Sequence, residues 1–220
     1  MIADLVPPGV VVEEAFGDPS GVTLFPEEEA VIAKAVEKRR REFTTARACA
    51  RAALARIGVP PAPIVPGPRG APRWPSGVVG SITHCEGYRA CAVARDRDIV
   101  TIGLDAEPHD RLPDGVLEAV TSTAERIRLA ELTAAQPALY WDRILFCVKE
   151  SVYKAWFPLT GRWLGFEDAA VDFDPACQSF TARLLVPGPV VNGRVLTGFE
   201  GRWRVGDGLI ATAIVIPRTA

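Results

Sequence analysis

The chain has 220 residues, of which 48% are hydrophobic and 24% are charged, and its formal net charge at pH 7 is -2. A chain of this length can bury a sizeable core, either as one domain or as two small ones. The slightly acidic charge argues against a protein that binds nucleic acid non-specifically.

The longest strongly apolar stretch, 209–216, is far too short to span a bilayer, and the N-terminus has no basic start followed by an apolar run. The five cysteines include no C-x-x-C pair, which fits reduced thiols in a reducing compartment. We therefore expect a cytoplasmic protein with neither a membrane nor a nucleic-acid partner. Because the chain has only two histidines, we expect any metal to be a hard cation held by oxygen rather than zinc.

The segment up to Pro26 contains turn residues and one short strand candidate, Val10 to Val12. A helical region from Glu27 to Ile57 follows, with acidic residues at its start and basic residues later, as the helix dipole favours. Thr44 or Thr45 can restart this helix as an N-cap. The glycine and prolines that follow end it.

This helical region carries the densest positive charge in the sequence, at 38–41 and then at Arg47 and Arg51. The spacing from Arg40 to Arg47 and on to Arg51 places these guanidinium groups on one helix face. Such a face is usually solvated. The same spacing would also allow the arginines to clamp the oxygens of a polyphosphate, and both interpretations stay open.

A proline-rich segment, 60–75, leads into three strand candidates that are predicted to form an antiparallel meander. Ser81, Thr83 and His84 lie at the end of the first strand. A lone histidine is usually structural, whereas hydroxyl groups and a histidine together could also contact phosphate. The three strand candidates are 78–83, 88–94 and 99–106.

Two carboxylates, Asp105 and Glu107, lie two residues apart at the end of the third strand. Side chains of a strand alternate between its faces, so both acids point to the same side. Ionised acids on one face repel each other unless a divalent cation lies between them. A strand that runs out into solvent is the alternative, and the metal interpretation strengthens if Glu150 supplies a third carboxylate.

The segment from Ala138 to Phe157 is predicted to be a helix that is buried on most sides and bounded by Pro137 and Pro158. Glu150 and Lys154 lie four residues apart in it and could form an ordinary ion pair on a solvated stripe. Only four of the 25 basic residues are lysines, and Lys149 and Lys154 flank this glutamate. This composition favours a chemical role for them.

After the third strand a second module begins, with a short helix at 116–120 and a capping box that opens a helix at 122–132. Four strands follow the long helix, at 168–173, 179–186, 199–205 and 209–216. A helix followed by a meander thus occurs twice. We predict an α+β protein built from two similar α+β subdomains, 1–104 and 105–220, with the site at the seam between them.

These residues together resemble the 4'-phosphopantetheinyl transferases of the Sfp and EntD type, including the actinobacterial enzymes that serve polyketide, fatty-acid and siderophore synthesis. The resemblance covers roughly 27–216 and is carried by two motifs. One is the G-x-D-x-E run at Gly103, Asp105 and Glu107, where Leu104 replaces the usual Ile or Val. The other is the aromatic-x-x-Lys-Glu-Ser-x-x-Lys run, 146–154. Arg39, Arg47, the 69–75 loop and the pair Thr83 and His84 are supporting matches.

The resemblance implies a monomer with a pseudo-twofold axis that moves the 4'-phosphopantetheine arm of coenzyme A onto a serine of an apo carrier protein, releasing adenosine 3',5'-bisphosphate. It implies that Mg²⁺ is held by Asp105, Glu107 and Glu150, and that Glu150 is also the candidate base. By the same resemblance, Lys154 contacts the diphosphate. The 3'-phosphate and neighbouring phosphate oxygens are assigned to Arg39, Arg47, Thr83 and His84, and the adenine border to Arg69.

A non-catalytic module of the same fold that binds coenzyme A or a carrier protein is the alternative, and a Mg²⁺-dependent nucleotide hydrolase is a third interpretation. For carrier docking, apolar residues at 116–120 and 164–166 are candidates, together with Arg111, Arg126 and Arg128. Ordinary packing of these segments is the competing explanation.

Overall fold

The computed structural model describes residues 1–219 and combines helices with antiparallel sheets, as an α+β fold requires. The helices are α1 Pro26–Ile32, α2 Glu37–Arg56, α3 Val116–Val120, α4 Thr123–Ala135 and α5 Trp141–Thr160. The strands are β1 Val11–Phe16, β2 Val78–Cys85, β3 Tyr88–Arg95, β4 Ile99–Pro108, β5 Ala169–Asp174, β6 Ser179–Leu184, β7 Val190–Val191, β8 Arg194–Val195, β9 Gly198–Gly206 and β10 Leu209–Pro217.

The predicted meander of three strands is wrong at its last strand. Strand β3 pairs with β1 on one edge and β2 on the other, so no edge of β3 is left for β4. Strand β4 instead pairs with β10 and forms the edge of a five-stranded sheet in the order β4-β10-β9-β6-β5. The predicted subdomains 1–104 and 105–220 remain a prediction, but the change from one sheet to the other comes before Ile99 rather than inside β4.

Two buried hydroxyl groups join β2 to β4 across the gap between the sheets. Ser81 Oγ accepts a hydrogen bond from Leu104 N at 3.1 Å, and Thr83 Oγ1 accepts one from Ala106 N at 2.9 Å. Ser81 and Thr83 are two positions apart on β2, so their side chains point to the same side, which faces β4. Side chains therefore satisfy edge N–H groups that a neighbouring strand would otherwise bond.

Helix α5 lies across β4 and β10 in the C-terminal half, and its burial on most sides is confirmed. Its predicted end before Pro158 is wrong, since the helix continues to Thr160 and stops at Gly161, which has a φ of 63°. Proline removes one helical hydrogen bond. The last turn nevertheless persists because Thr160 Oγ1 donates to Trp156 O and Gly161 N donates to Phe157 O.

The helical region before residue 57 is interrupted at a different place from the predicted one. The break lies at residues 33–36, and α2 runs without interruption through Thr44 and Thr45. Thr45 is buried and donates a hydrogen bond to Asp18 at 2.7 Å, which anchors the loop before α1 to the side of α2. The hydroxyl is therefore used in a tertiary contact rather than as a helix cap.

The short helix and the capping box of the C-terminal half are confirmed, as are the four strands predicted after α5. Ser122 Oγ accepts from Glu125 N, and the Glu125 carboxylate accepts from Ser122 N. The two-residue strands β7 and β8 were not predicted, because they are too short to show alternation. No helix within residues 1–219 is both long and apolar enough to cross a membrane.

Candidate functional site

A cavity of about 970 Å³ lies between the N-terminal half and helix α5. Residues of α2, of the 66–72 loop and of β2 form one wall, and residues of β4 and α5 form the other. Its polar lining is basic towards α2 and carries acids towards α5. The charged and histidine side chains that line it are Arg39, Arg47, Arg69, His84, Asp105, Glu150 and Lys154.

Asp105 is the centre of the polar contacts at the α5 end of the cavity. Its side chain is 7% exposed, and its Oδ1 accepts hydrogen bonds from Lys154 Nζ at 2.7 Å and from Thr83 Oγ1 at 3.1 Å. Its Oδ2 is buried and has no hydrogen-bond partner among the described residues. A buried carboxylate oxygen without a partner is costly unless a cation or a donor occupies the place next to it.

Lys154 therefore pairs with Asp105, and the alternative of a simple ion pair with Glu150 is wrong. The Lys154 side chain is 28% exposed and lines the cavity. Burial by itself lowers the pKa of Lys154, but the charge of Asp105, its hydrogen bond to Lys154 and the charge of Glu150 together outweigh burial and raise this pKa above the ordinary value. The ammonium group is thus charged at neutral pH.

Glu107 and Glu150 both lie within the electrostatic influence of Asp105. Burial raises the pKa of Glu150 above its ordinary value, and repulsion from Asp105 raises it further. The pKa of Glu107 is raised by the same two causes, although Arg143 NH1 donates to Glu107 Oε2 at 3.0 Å. The charge of Asp105 on β4 therefore acts on its neighbour Glu107 and also on Glu150, although Glu150 belongs to α5.

Within residues 1–219, no three His, Cys, Asp or Glu side chains form a group that could hold a metal ion as they stand. Lys154 and Arg143 instead neutralise Asp105 and Glu107. The donor set still fits a hard cation, because carboxylates are its preferred ligands and Asp105 Oδ2 has no partner. The metal-ligand prediction for Asp105, Glu107 and Glu150 therefore stays a prediction.

Arg39 and His84 form a pair on the basic side of the cavity, with Arg39 NH1 at 2.8 Å from His84 Nε2. A guanidinium group can only donate, so Nε2 accepts and the ring proton is on Nδ1, which faces Glu42 at 3.8 Å. Burial, followed by the charge of Arg39, lowers the pKa of His84 to about 4. His84 is thus neutral at physiological pH.

Arg47 is a buried cation whose Nε donates to Ile64 O at 2.6 Å and whose guanidinium lies 3.9 Å from the centre of the Phe43 ring. Burial lowers its pKa to about 10. Such a desolvated guanidinium beside a cavity is a favourable site for an anion.

Of the two interpretations left open for Arg40, Arg47 and Arg51, the common clamp on a polyphosphate is wrong, because only Arg47 of the three lines the cavity. Arg40 donates to Ile32 O and Glu29, while Arg51 donates to Glu28 and Thr23 O. These contacts hold α1 and its preceding loop against α2. The helical spacing was correct, but the two outer arginines bind the protein itself.

Arg69 lines the cavity from the 66–72 loop, where its φ is 52°. Its guanidinium lies 5.0 Å from the centre of the Trp163 ring, which belongs to the segment after α5. This cation–π contact connects the 66–72 loop to the segment after α5. A second cavity of about 110 Å³ lies beyond Glu150 and Tyr153, and Trp163, Leu164 and Phe166 complete its apolar wall.

Lys149 has a structural partner, although the sequence placed it beside the candidate site. Its Nζ donates to Glu125 at 3.0 Å and to Phe166 O at 2.8 Å, and its side chain is buried. Two of the apolar docking candidates, Val120 and Leu164, are buried, whereas Val116, Leu117 and Phe166 are half-buried, so carrier docking at these segments stays a prediction. Exposed Trp163 and Ile127 are the large apolar side chains that the sequence did not single out near these segments.

Arg143 and Tyr153 also belong to the site region but were missed as site residues. Arg143 donates to Glu107 and to the carbonyl oxygens of Asp110 and Arg111, and Tyr153 lies between the two cavities. The signal available for Arg143 was its place on the face of α5 that carries Glu150, about two helical turns earlier.

Comparisons with known proteins agree with this architecture. A family model described as the 4'-phosphopantetheinyl transferase N-terminal domain matches residues 27–94, and the model of the 4'-phosphopantetheinyl transferase superfamily matches residues 101–201. The chain is similar to 4'-phosphopantetheinyl transferase Svp of Streptomyces mobaraensis, with 57% identity over all of this chain and 91% of that protein. It is 53% identical to 4'-phosphopantetheinyl transferase PptT of Mycobacterium tuberculosis, over 92% of this chain and 90% of that protein. It is 51% identical to 4'-phosphopantetheinyl transferase Npt of Nocardia iowensis, over 97% of this chain and 99% of that protein.

Proposed function

Because the chain belongs to the 4'-phosphopantetheinyl transferases, which place phosphopantetheine on carrier proteins, we propose that it takes this arm from coenzyme A, requires Mg²⁺ and releases adenosine 3',5'-bisphosphate. The observation that carries the proposal is one cavity with a basic wall at one side and the unpartnered Asp105 Oδ2 at the other. A ligand with phosphate groups at two places would match both sides.

The basic wall would hold the 3'-phosphate of coenzyme A. Arg47 is desolvated, and within residues 1–219 Arg39 pairs only with a neutral His84 and, at 3.7 Å, with Glu42, so both retain donors for an anion. Arg69 and its loop would border the adenine. The pantetheine arm would pass Glu150 and Tyr153 towards the small apolar cavity near Trp163.

Asp105, Glu107 and Glu150 would hold the Mg²⁺ ion. When bound, this ion would neutralise negative charge on the diphosphate, which is the main electrostatic requirement of phosphoryl transfer. Lys154 would turn from Asp105 to donate to the diphosphate and neutralise the leaving group. Its raised pKa keeps it cationic for this purpose.

Glu150 would take the proton of the carrier serine. The serine oxygen forms a bond to the phosphorus of phosphopantetheine, the bond from that phosphorus to the bridging oxygen breaks, and adenosine 3',5'-bisphosphate leaves with both electrons of the broken bond. In the absence of the ion, the raised pKa of Glu150 makes its carboxylate a stronger base than an exposed one.

The acids are tested by following the mass of an apo carrier incubated with coenzyme A, Mg²⁺ and each variant. We expect Asp105→Ala and Glu150→Ala to remain folded and to lose transfer by roughly 100-fold or more. Glu131→Ala, at an exposed position on α4, is the control and should retain transfer. Near-normal turnover by either site variant would contradict the mechanism.

The basic wall is tested by comparing coenzyme A with 3'-dephospho-coenzyme A in binding calorimetry. The wild type should prefer coenzyme A, and Arg47→Met should lose most of this preference, by about tenfold, since a hydrogen bond to a charged group contributes ~1.5–3 kcal/mol. Arg40→Met is the matched control, because Arg40 is bound to Ile32 O and Glu29. An equal loss in both variants would contradict the assignment.

A non-catalytic binding module of the same fold predicts that coenzyme A binds but no carrier gains mass. A nucleotide hydrolase predicts release of product without any carrier, so an assay that omits the acceptor separates it from the transferase.

We also propose that the protein acts as a cytoplasmic monomer on acyl or peptidyl carrier domains of polyketide, fatty-acid or siderophore synthesis. Light scattering at increasing concentration tests the monomer.

A further inference from the structure

Thr83 makes two hydrogen bonds at the junction of the two sheets. Its Oγ1 accepts from Ala106 N at 2.9 Å and donates to Asp105 Oδ1 at 3.1 Å. A hydroxyl group has one proton to donate. That proton is used on Asp105, so Thr83 has none left for a phosphate oxygen.

The position of Thr83 agrees with this use. The residue is 1% exposed, and the part of β2 that lines the large cavity consists of 78–82 and His84. Thr83 itself is not part of this lining, because its hydroxyl group is engaged by Asp105 and Ala106 N of β4. It therefore lies behind the carboxylate of Asp105 rather than beside the ligand.

The contact determines how Asp105 presents its two oxygens. Oδ1 accepts from Thr83 and from Lys154, while Oδ2 is buried without a partner among the described residues. Thr83 is β-branched and its hydroxyl is fixed by a backbone N–H, so it has little freedom to move. Lys154 has a long flexible stem and is 28% exposed. Thr83 would therefore keep Oδ1 in place when Lys154 turns towards a diphosphate.

We propose that Thr83 is a positioning residue for Asp105, which orients this carboxylate so that Oδ2 is available to a divalent cation. The inference rests on the proposed function, and it replaces the assignment of Thr83 to a phosphate contact. Partners of metal-ligating carboxylates typically change metal affinity by 10–100-fold when they are removed.

The test measures binding of Mn²⁺ in the presence of coenzyme A, by the electron paramagnetic resonance signal of the free ion, together with the KM for coenzyme A. We expect Thr83→Val, which has the same shape without the hydroxyl, to weaken Mn²⁺ binding by about tenfold and to leave the KM for coenzyme A within about twofold. Thr83→Ser restores the hydroxyl and should restore most of the affinity.

Thr45→Val is the matched control, since it removes an equally buried threonine hydroxyl whose hydrogen bond goes to Asp18 and not to Asp105. It should destabilise the protein to a similar extent and leave Mn²⁺ binding unchanged. A raised KM for coenzyme A with unchanged Mn²⁺ affinity in Thr83→Val would overturn the inference, as would equal Mn²⁺ affinities in Thr83→Val and Thr45→Val. If Asp105→Asn binds Mn²⁺ as tightly as the wild type, the proposed metal site fails and the inference fails with it. If only Asp105→Asn loses the ion, the metal site stands and the role of Thr83 is wrong.

Discussion

Glu150 carries a negative charge in a place that favours its neutral form. Burial and the nearby Asp105 raise its pKa, so the folded protein binds a proton at Glu150 more tightly than the unfolded chain does. The raised pKa of Glu150 therefore lowers the free energy of unfolding at neutral pH, where the carboxylate is ionised. This penalty becomes smaller as the pH falls and the carboxylate is protonated. Groups that are unfavourable for stability are often found at functional sites.

Replacement of Glu150 by Gln should therefore raise the melting temperature at neutral pH in the absence of divalent ions. The advantage should shrink as the pH is lowered, because protonation of the wild-type side chain relieves the same repulsion. Addition of Mg²⁺ with coenzyme A should stabilise the wild type more than the variant. Differential scanning calorimetry with and without Mg²⁺ measures these effects, and a lower melting temperature of the metal-free variant would contradict the argument.

His84 gives a second prediction, with the opposite sign. Its pKa is about 4 in the folded protein, against an ordinary value of 6.5. Between these pH values the unfolded chain binds a proton that the folded chain does not, so the free energy of unfolding falls as the pH drops from about 6.5 towards about 4.

In His84→Gln the free energy of unfolding should fall less between about pH 7 and about pH 5, as measured by urea denaturation. His109→Gln removes the other histidine, whose pKa burial also lowers but by less, and should flatten the loss to a smaller extent. Equal slopes in the two variants would show that His84 is not the group responsible.

For single residues, the sequence indicated which side chains were candidates for the site better than it indicated which side chains they contact. The two-residue spacing of Asp105 and Glu107 could be recognised locally, because it depends only on the alternation of a strand. The partners of Lys154 and Glu107 could not, since Asp105 and Arg143 reach them from other elements. Non-local contacts of this kind have no signature in a single sequence.

Gly103 shows how two elements are brought close enough to form the site. A Cβ atom at this position would lie 2.1 Å from Ser151 O and 2.8 Å from Ala155 N, both backbone atoms of α5. The absence of a side chain thus lets β4 approach the helix two residues before Asp105 and in the turn that follows Glu150.

Gly103→Ala should push α5 away from β4, because backbone atoms of a helix cannot move aside singly. We expect a loss of about 1–3 kcal/mol in the free energy of unfolding, and a fall in transfer that persists at temperatures where the variant is fully folded. Gly206→Ala is the matched control, since the nearest atom to its added Cβ would be 3.9 Å away. Full transfer by folded Gly103→Ala would contradict the link between this approach and the site.

The elements themselves were largely predictable, whereas their pairing was not. Periodicity identified α5, and the motif of a capping box identified the start of α4; both signals depend only on neighbouring residues. The pairing of β4 with β10 joins segments about 100 residues apart. Hydrophobic patterns leave such a choice open, because a strand buried on both faces suits either sheet.

The two halves of the molecule share one of their hydrophobic cores. Val12 and Tyr88 of the three-stranded sheet pack in the same cluster as Leu104, Ala211 and Ala213 of the five-stranded sheet. A separate cluster under α5 contains residues of the C-terminal half. Because the shared cluster cannot be exposed in one half without the other, we expect the chain to unfold as a single cooperative unit.

This cooperativity can be tested with a substitution that is remote from the shared core. Leu129 lies on α4 in the separate cluster, and Leu129→Ala should destabilise it by about 2–5 kcal/mol. If the halves unfold together, hydrogen exchange followed by mass spectrometry should show the same loss of protection in β3 as in β9, although β3 is in the other sheet. Independent halves would instead confine the loss to β9 and its neighbours. The two outcomes differ in β3, where the substitution makes no contact of its own. The exchange protection of β3 therefore decides whether the halves on either side of the cavity are held together by folding or by the ligand.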